Sequence, residues 1–519
     1  MDKDGILTSW LFPITTGRSH LLMVACFLLF GPAYGQPPTP SRAVQVPGPS
    51  AALHAAPYYT CLRNFYVATN GNNGNPGTSA QPWLTLQNAN SGNRAPGDCI
   101  NVAPGTYSGM TISHGGNLAS ATGYVVYRCQ TLDGCIVNGN AGTNRNAAIW
   151  FQIGPSMANY VIIDGFNLTG PGSAGRPYGV GLNIWNGDNG GKISSHHIWV
   201  LNSIVSNFSQ AGIEFAAGEY FYALHNTSYG NGGSTCDAQG SGIALFIPHP
   251  IPGYVPTADD KTNPNPLIGS FITGSDFFHN VFEWNVVYNN ALTQCGNARN
   301  PYNTDGNGII MDTFGTRNGN SIEYVNQTLV AFNVAYNNGG GGVHIFASEW
   351  VTVANNSCFN NYLDPYIRGS GGCIDAANSY SNTYINNIAV TIPGAHSTCA
   401  DYMVPYSMLA SAILGSPPKG EPGNSYRNNI TNLIGSGCRG EVAMFNGDTY
   451  SATANKTSTP PLWVDVGTTS RGTESTPSIG ANFALQPGSP AIGYGLTETF
   501  LPSQSVDAGA CSGTLRVCP

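Results

Sequence analysis

Short apolar runs bounded by asparagine recur along the centre of the chain. Five of them share the pattern Asn, four residues, Asn (NSIVSN, NTSYGN, NVVYNN, NVAYNN and NSCFNN) and begin at Asn202, Asn226, Asn285, Asn333 and Asn356. The starts are 24 residues apart from Asn202 to Asn226, 48 from Asn285 to Asn333 and 23 from Asn333 to Asn356. Val, Ile, Phe and Tyr dominate the repeats, without helical periodicity. A strand-based repeat of about 24 residues predicts an all-β solenoid, and a right-handed parallel β-helix fits best.

In such a coil, equivalent residues of successive turns stack about 4.8 Å apart. An inward-pointing asparagine at a corner can then bond to the asparagines above and below it. Asparagine as a simple turn former would explain the enrichment but not the constant spacing. We therefore expect asparagine ladders.

Glycines mark a second column, at Gly212, Gly242, Gly308 and Gly342, each opening an apolar run. Two long insertions, GGSTCDAQGS and ALTQCGNARNPYNTDGN, precede two of these runs. This pattern predicts that the long excursions leave the coil at one corner and build a binding face there. The segment from Phe65 is expected to cap the first turn. After about residue 390 the period fades, and we expect less regular turns and a closing element at 482–495.

Composition narrows the class of protein. The chain has 66 Gly and 35 Pro, only 9% charged residues, and 19 Lys plus Arg with a net charge of −8, which argues against nucleic acid as a partner. The run LLMVACFLLF at 21–30 predicts a signal peptide over 1–35. A Pro-rich linker is expected at 36–60, followed by one β-helix domain at 61–519. We expect a secreted monomer without a membrane span.

The cysteines are typical of an oxidising compartment. Thirteen are present, and loss of Cys26 with the signal peptide leaves twelve, an even number that favours disulfides. Short-range spacing suggests three pairs, and the two long excursions suggest a fourth: Cys129 with Cys135, Cys358 with Cys373, Cys511 with Cys518, and Cys236 with Cys295.

Both ends of the repeat region resemble a known family. The opening segments YVATNGNNGNPGTSAQPWLTLQNA and GDCINVAPGTYSG and the closing FALQPGSPAIG are similar to secreted β-helix proteins of the pectin-lyase-like superfamily. That superfamily includes pectate and alginate lyases, hydrolases, epimerases and phage adhesins. The resemblance implies a polysaccharide ligand and leaves the reaction open.

Alternation along the second column places candidate chemistry on one outer face. If Ile309 and Val343 point inward, Asp312 and His344 point outward on adjacent turns, two residues apart along the strand, with Asp305 at the end of the preceding excursion. These three are the candidate catalytic residues. The candidate substrate-binding residues are Glu214, His249, Arg299, Arg317, Trp350, Arg368 and Asp375, of which Arg368 and Asp375 form a candidate pair. Nearby aromatic residues, including Phe246, Phe314 and Phe346, offer faces for stacking sugar rings.

Three functions remain open at this point. A uronan lyase would use Ca²⁺ held by Asp305 and Asp312, or an arginine, to neutralise the substrate carboxylate, and His344 or an arginine as base. A glycoside hydrolase would use paired carboxyl groups. A non-catalytic adhesin or glycan-binding module would need neither. The resemblance favours the lyase.

Overall fold

In the computed structural model, the chain divides into two compact units, 1–44 and 45–519. The described residues all belong to the second unit. They are 59–92, 94–139, 147–152, 157–170, 181–184, 195–232, 240–257, 260, 278–292, 303–316, 320–364, 367, 369–392, 403–411, 422–434, 441–445, 447–466, 482–498 and 507–510. The predicted signal peptide and nearly all of the predicted linker lie outside them. The described residues contain no helix that is long and apolar enough to cross a membrane.

Three parallel sheets carry almost all of the strands. Sheet A comprises β1 (Arg63–Val67), β2 (Asp98–Val102), β5 (Val125–Cys129), β8 (Val161–Asp164), β11 (Ile198–Leu201), β14 (Phe221–Leu224), β17 (Asn280–Glu283), β20 (Thr328–Ala331), β23 (Val351–Ala354), β26 (Thr383–Ile385) and β29 (Ser425–Arg427). Sheet B comprises β3 (Gly105–Ser108), β6 (Cys135–Asn138), β9 (Phe166–Thr169), β12 (Ile204–Ser206), β15 (Thr227–Tyr229), β18 (Val286–Tyr288), β21 (Val334–Tyr336), β24 (Ser357–Phe359), β27 (Ile388–Thr391) and β30 (Ile430–Leu433). Sheet C comprises β4 (Met110–Ile112), β7 (Ile149–Phe151), β10 (Leu182–Ile184), β13 (Ile213–Ala216), β16 (Ile243–Phe246), β19 (Ile309–Asp312), β22 (Val343–Phe346), β25 (Gly369–Ala377), β28 (Met403–Ser411) and β31 (Val442–Met444).

The chain visits sheets A, B and C in turn, and each strand pairs with its equivalent one turn away. In sheet C, Ile213 pairs with Ile243, Ile243 with Ile309, and Ile309 with Val343. These side chains are buried in the interior of the coil, because alternate residues of a strand point to opposite faces. The predicted right-handed parallel β-helix is confirmed, as is the predicted register of the glycine column.

Asparagine ladders run along two corners. At the corner between sheets A and B, each side-chain amide donates from Nδ2 to Oδ1 of the next asparagine in a continuous series: Asn226, Asn285, Asn333, Asn356, Asn387, Asn429 and Asn455. A second series at the corner between sheets B and C joins Asn231, Asn290, Asn338 and Asn361. The ladders satisfy buried backbone and side-chain amides together, as the constant spacing predicts.

The predicted register of the first repeat is wrong by one residue. Ser203 and Phe208 occupy the ladder positions, since their backbone N–H groups donate to Asn226 and Asn231. Asn202 has φ 49° and Asn207 has φ 63°. Both therefore belong to the left-handed residues that precede the ladder, a conformation in which asparagine is also enriched. The two columns use the same residue type for different reasons.

A short helix closes the first turn, as the sequence predicts. Helix α1 (Leu86–Asn90) begins after Thr85, whose side chain accepts from the Asn88 backbone N–H. Leu86 and Ala89 are buried against the interior residues of the first strands. The helix thereby covers apolar side chains that an open coil would expose.

The C-terminal segment lies along the side of the coil. Strands continue in all three sheets to Met444, one turn beyond residue 390. The antiparallel pair β32 (Trp463–Asp465) and β33 (Asn482–Leu485) then packs on the outer face of sheet B, against Tyr336 and Phe359. Asn386 exchanges hydrogen bonds with Leu496, which ties the segment to the corner between sheets A and B. The closing element at 482–495 thus covers a flank and not an end.

Three disulfides are described. The predicted pairs Cys129–Cys135 and Cys358–Cys373 are confirmed, and Cys61–Cys99 is a third pair that spacing did not reveal. The predicted pairs Cys511–Cys518 and Cys236–Cys295 lie outside the described residues. Cys358 and Cys373 are fully buried in the interior of the coil.

Candidate active site

The outer face of sheet C carries two rows of side chains that cross its strands. The His344 row comprises Asn183, Glu214, Ala244, Ile310, His344 and Asp375. The Asp312 row, two residues further along each strand, comprises Ala216, Phe246, Asp312, Phe346 and Ala377. Most of these side chains are buried, whereas Phe246, Asp312, His344 and Phe346 are partly exposed. Solvent therefore reaches the sheet around Asp312 and His344.

His344 is held by a buried carboxylate. Its Nδ1 hydrogen-bonds with Asp375, whose side chain is 1% exposed, while 17% of the His344 side chain is exposed. The other carboxylate oxygen of Asp375 accepts from the Gly372 backbone N–H at 2.9 Å. These contacts fix the imidazole and leave Nε2 for the solvent side. Burial opposes protonation of His344, but Asp375 outweighs it, so the pKa of His344 is raised above its ordinary value.

Asp312 is a carboxyl group that is hard to ionise. Burial raises its pKa to about 7, and the neighbouring Asp305 adds to the rise. A hydrogen bond of 2.7 Å from the Thr313 hydroxyl and the proximity of His344 act in the opposite direction without cancelling it. Thr313 has φ 56°, an uncommon conformation for a β-branched residue. At neutral pH Asp312 is thus divided between its acid and its carboxylate form.

Asp305 reaches the same cluster from the excursion that precedes β19. Its carboxylate accepts from the Thr304 hydroxyl at 3.1 Å and from the Asn307 amide at 3.4 Å. Asn307 in turn accepts from the Gly341 backbone N–H at 2.7 Å. Asp305 also influences the pKa values of both Asp312 and His344. The structure therefore brings together the three predicted catalytic residues and adds Asp375 to them.

The glycines at 339–342 are small because other groups lie against them. A Cβ on Gly341 would sit 2.8 Å from the Asp375 carboxylate and 3.2 Å from His344 Cβ, and one on Gly340 would sit 2.4 Å from Asn307 Oδ1. A Cβ on Gly342 would sit 2.3 Å from the sulfur of Cys358. This backbone packs between the disulfide on the inside and the His344–Asp375 pair on the outside.

Excursions leave the coil at both edges of sheet C, not at one corner as the sequence suggested. Those at 289–308 and 360–368 join sheets B and C, whereas those at 247–279 and 313–327 join sheets C and A. His249 is fully buried in the second group, where its Nε2 hydrogen-bonds with Asn320 Oδ1 at 2.9 Å. It therefore links two excursions beside the site and is not part of the Asp312–His344 cluster.

The other predicted binding residues differ in how close they lie to the Asp312–His344 cluster. Glu214 lies in the His344 row three strands from His344, buried and hydrogen-bonded to Asn183. Trp350, at the corner between sheets C and A, is 38% exposed. Asp375 pairs with His344, although the sequence suggested Arg368. Phe314 is in the core and offers no face to a ligand. Arg299, Arg317 and Arg368 lie outside the described residues.

Several residues that support the cluster were not anticipated. Thr313, Asn307 and Gly372 donate hydrogen bonds to its carboxylates. Tyr362 is buried, and both burial and Asp375 raise its pKa. No sequence signal marked Asn307 or Gly372, because each meets its carboxylate only through the fold of the segment that holds it.

The predicted calcium site finds little support in the donor set. Across the described part of the chain, no group of three or more His, Cys, Asp or Glu side chains is arranged to hold a metal ion. The Asp312 carboxyl, with its raised pKa, is also a poor anionic ligand at neutral pH.

Neither a protein-family model nor a curated protein sequence matches the chain. Among solved structures, the chain is similar to pectate lyase Pel9A, with 15% identity over 87% of this chain and 96% of that one and a TM-score of 0.43. It is also similar to the GH136 lacto-N-biosidase from Eubacterium ramulus, with 12% identity, 76% and 68% coverage and a TM-score of 0.40. An alginate lyase from Paenibacillus sp. str. FPU-7 matches with 10% identity, 76% and 97% coverage and a TM-score of 0.30. At these values the matches carry no inference about activity.

The class of the protein follows from its own strand topology. It is a three-sheet parallel β-helix, the fold of the pectin-lyase-like superfamily, which its terminal segments resemble. Its outer face carries a partly exposed cluster of three aspartates and one histidine between two sets of excursions.

Proposed function

We propose that the protein is a secreted enzyme that cleaves a polysaccharide at this cluster, by hydrolysis of a glycosidic bond. The observation that carries the proposal is the grouping of carboxyl groups on a partly exposed face: Asp312, whose pKa burial raises to about 7, lies near Asp305 and one strand from His344. A glycosidase needs one carboxyl group that is protonated near neutral pH and one that is ionised. The three disulfides of the described coil support secretion.

The two carboxyl groups take complementary roles in this scheme. Asp312 donates its proton to the glycosidic oxygen as the bond from that oxygen to the anomeric carbon breaks. Asp305 accepts a proton from a water molecule whose oxygen forms the new bond to the anomeric carbon. The reaction leaves Asp312 ionised and Asp305 protonated, and exchange with solvent restores both. The pKa of His344 is raised by Asp375, and in its protonated form this imidazole beside Asp312 would stabilise the carboxylate formed.

Charge supports hydrolysis of an uncharged sugar over elimination from a uronate. A uronate carboxylate entering the site would approach the carboxylates of Asp305 and Asp375, two groups of its own sign. Elimination requires that this carboxylate be neutralised before the adjacent proton is removed. Among the described residues of the cluster, His344 is the one residue that can carry a positive charge for that task. The carboxylates present therefore disfavour the substrate of a lyase.

A lyase is the second candidate, and the His344–Asp375 pair is the observation that favours it. An imidazole oriented by a buried carboxylate is suited to remove a carbon-bound proton. Neutralisation of the substrate would then fall to Arg299, Arg317 or Arg368, which the sequence offers as binding residues. In that case Asp312 would protonate the leaving oxygen.

The two candidates differ in their products. Purified protein is incubated with pectate, alginate, xylan, galactomannan and β-glucan, with and without EDTA, while reducing ends and the absorbance of unsaturated uronates are followed. We expect reducing ends from a neutral polysaccharide, without unsaturated product and without an effect of EDTA. Unsaturated product would establish the lyase instead, and its loss in EDTA would establish calcium. If no polysaccharide yields reducing ends or unsaturated product, the result would contradict cleavage and favour a binding module.

Variants then test the residues. Asp312→Asn and Asp305→Asn should each lower kcat at least about 100-fold, since each removes one partner of the acid–base pair. Asp133→Asn, in a loop between sheets A and B and away from the site, is the matched control, because asparagine tolerates the left-handed conformation of Asp133 (φ 61°). Full activity of Asp312→Asn would refute the assignment.

A further inference from the structure

We infer that phenyl rings in the Asp312 row form an extended binding line for a polysaccharide, and that its far end is a separate sugar-binding subsite at Phe445. This inference rests on the proposed function, since it names how that site holds its substrate. It concerns Phe246, Phe346 and Phe445.

Two of the rings lie on either side of the proposed acid. Phe246 pairs with Asp312 on one side and Phe346 on the other, each one strand away, or about 5 Å. All three side chains are partly exposed. A carboxyl group that protonates a glycosidic oxygen must face the bond between two sugar rings. The order ring, acid, ring across the sheet thus matches the order sugar, oxygen, sugar along the substrate.

Phe346, the ring on one side of Asp312, lies close to the polar imidazole of His344. The Phe346 and His344 rings are 6.0 Å apart and nearly parallel, with 25° between their planes. A sugar that stacks on Phe346 through its C–H face would therefore also lie over the imidazole. His344 Nε2, which the Asp375 bond leaves on the solvent side, could then donate to one of its hydroxyl groups.

The same row leads to an exposed aromatic residue at the end of sheet C. Ala377 pairs with Ser411, and Ala410 pairs with Met444. The next residue, Phe445, is therefore level with Ser411, and its backbone N–H donates to Ala410 O at 2.7 Å. Met444 packs against the interior of the coil, so Phe445 faces outward, and 62% of it is exposed.

Phe445 is three strands beyond Phe346, or about 14 Å. The two positions between them in the row are Ala377 and Ser411. A sugar chain that crosses the strands along this row would meet one ring on each side of the cleaved bond and another ring several sugars away. Aromatic faces suit such contacts because they bind the C–H faces of sugars without requiring charge.

The test is the dependence of activity on chain length. Oligosaccharides of three and of ten sugars, made from the polysaccharide that the protein cleaves, are compared for the wild type, Phe445→Ala and Phe445→Tyr. We expect Phe445→Ala to lower the ratio of kcat/KM for the long chain to that for the short chain about 3- to 10-fold. Phe445→Tyr should restore the ratio. Phe346→Ala should lower kcat/KM for both lengths.

Leu118→Ala, an exposed apolar position near the opposite end of the coil, is the control and should leave the ratio as in the wild type. An unchanged ratio in Phe445→Ala, or restoration by Phe445→Leu as fully as by Phe445→Tyr, would overturn the subsite.

Binding is measured separately so that the subsite and the catalytic proposal can fail independently. Affinity electrophoresis in gels containing xylan, galactomannan, β-glucan or pectate compares Asp312→Asn with Asp312→Asn combined with Phe445→Ala. Retardation by a neutral polysaccharide that Phe445→Ala weakens supports the binding line even if no polysaccharide is cleaved. Cleavage by the wild type together with retardation that is indifferent to Phe445→Ala rejects the binding line and leaves the hydrolase in place.

Discussion

The asparagine ladder makes a prediction that needs no substrate. Asn333 lies in the middle of the series at the corner between sheets A and B and is fully buried. Its Oδ1 accepts from both the backbone and the side-chain N–H of Asn285 at 2.9 Å. Its Nδ2 donates to Phe282 O at 2.8 Å and to Asn356 Oδ1 at 3.0 Å. Replacement by alanine removes all four hydrogen bonds at once.

The expected loss of stability follows from the groups that lose a hydrogen-bond partner. Asn356 Oδ1 still accepts from the Asn333 backbone N–H at 2.9 Å. Two N–H groups of Asn285 lose their acceptor, at about 1–3 kcal/mol for each buried group, and the Phe282 carbonyl loses its amide donor. Because a water molecule entering the vacated space restores part of this, we expect Asn333→Ala to lower the free energy of unfolding by about 2–5 kcal/mol.

Urea denaturation followed by tryptophan fluorescence measures the change, with melting temperature as a second readout. Asn138→Ala, at an exposed position at the end of β6, is the control and should stay within about 0.5 kcal/mol of the wild type. A variant Asn333→Ala as stable as this control would refute the ladder as a source of stability.

Three further changes test the surroundings of the site. Gly341→Ala should displace the Asp375 carboxylate, which lies 2.8 Å from the new Cβ. We expect a lower kcat with a melting temperature close to that of the wild type, and an unchanged kcat would contradict this. Asp312→Asn should be more stable than the wild type at pH 8 and lose that advantage below about pH 4. The reason is that a folded-state pKa raised to about 7 means that stability is lost as pH rises from the unfolded pKa through the folded one. Replacing Cys358 and Cys373 by alanine should cost about 3 kcal/mol in urea denaturation for a 15-residue separation, and no change would refute that.

Much of the fold could be predicted from the sequence because every turn of the coil places the same residue types at equivalent positions. The asparagines and the inward apolar residues must align vertically, so their spacing carries the period and the register of sheet C. Asn202 shows the limit of this reading, since asparagine also suits the left-handed residue beside the ladder. Composition alone cannot separate these two uses.

The chemistry of the site was less accessible. The alternation along adjacent strands predicted that Asp312 lies near His344. The pairing of His344 with Asp375 was not predicted, because 31 residues separate them and the excursion between them obscures which position of the next turn Asp375 occupies. The burial that raises the pKa of Asp312 arises only in the folded protein. The fold-back of the C-terminal segment had no sequence signal, because it depends on apolar area and not on a repeat.

That fold-back bears on how the chain is made. A solenoid can form turn by turn as it leaves the ribosome or a secretion channel, because each turn needs only its predecessor. Here the outer face of sheet B between Val286 and Ile430 is covered by later residues, among them Trp463, Phe483 and Ala508, which are synthesised after the strands that they cover. Until they arrive, the nascent coil presents an apolar stripe, a state prone to aggregation. The outer face of sheet B is therefore completed only after the coil beneath it has formed.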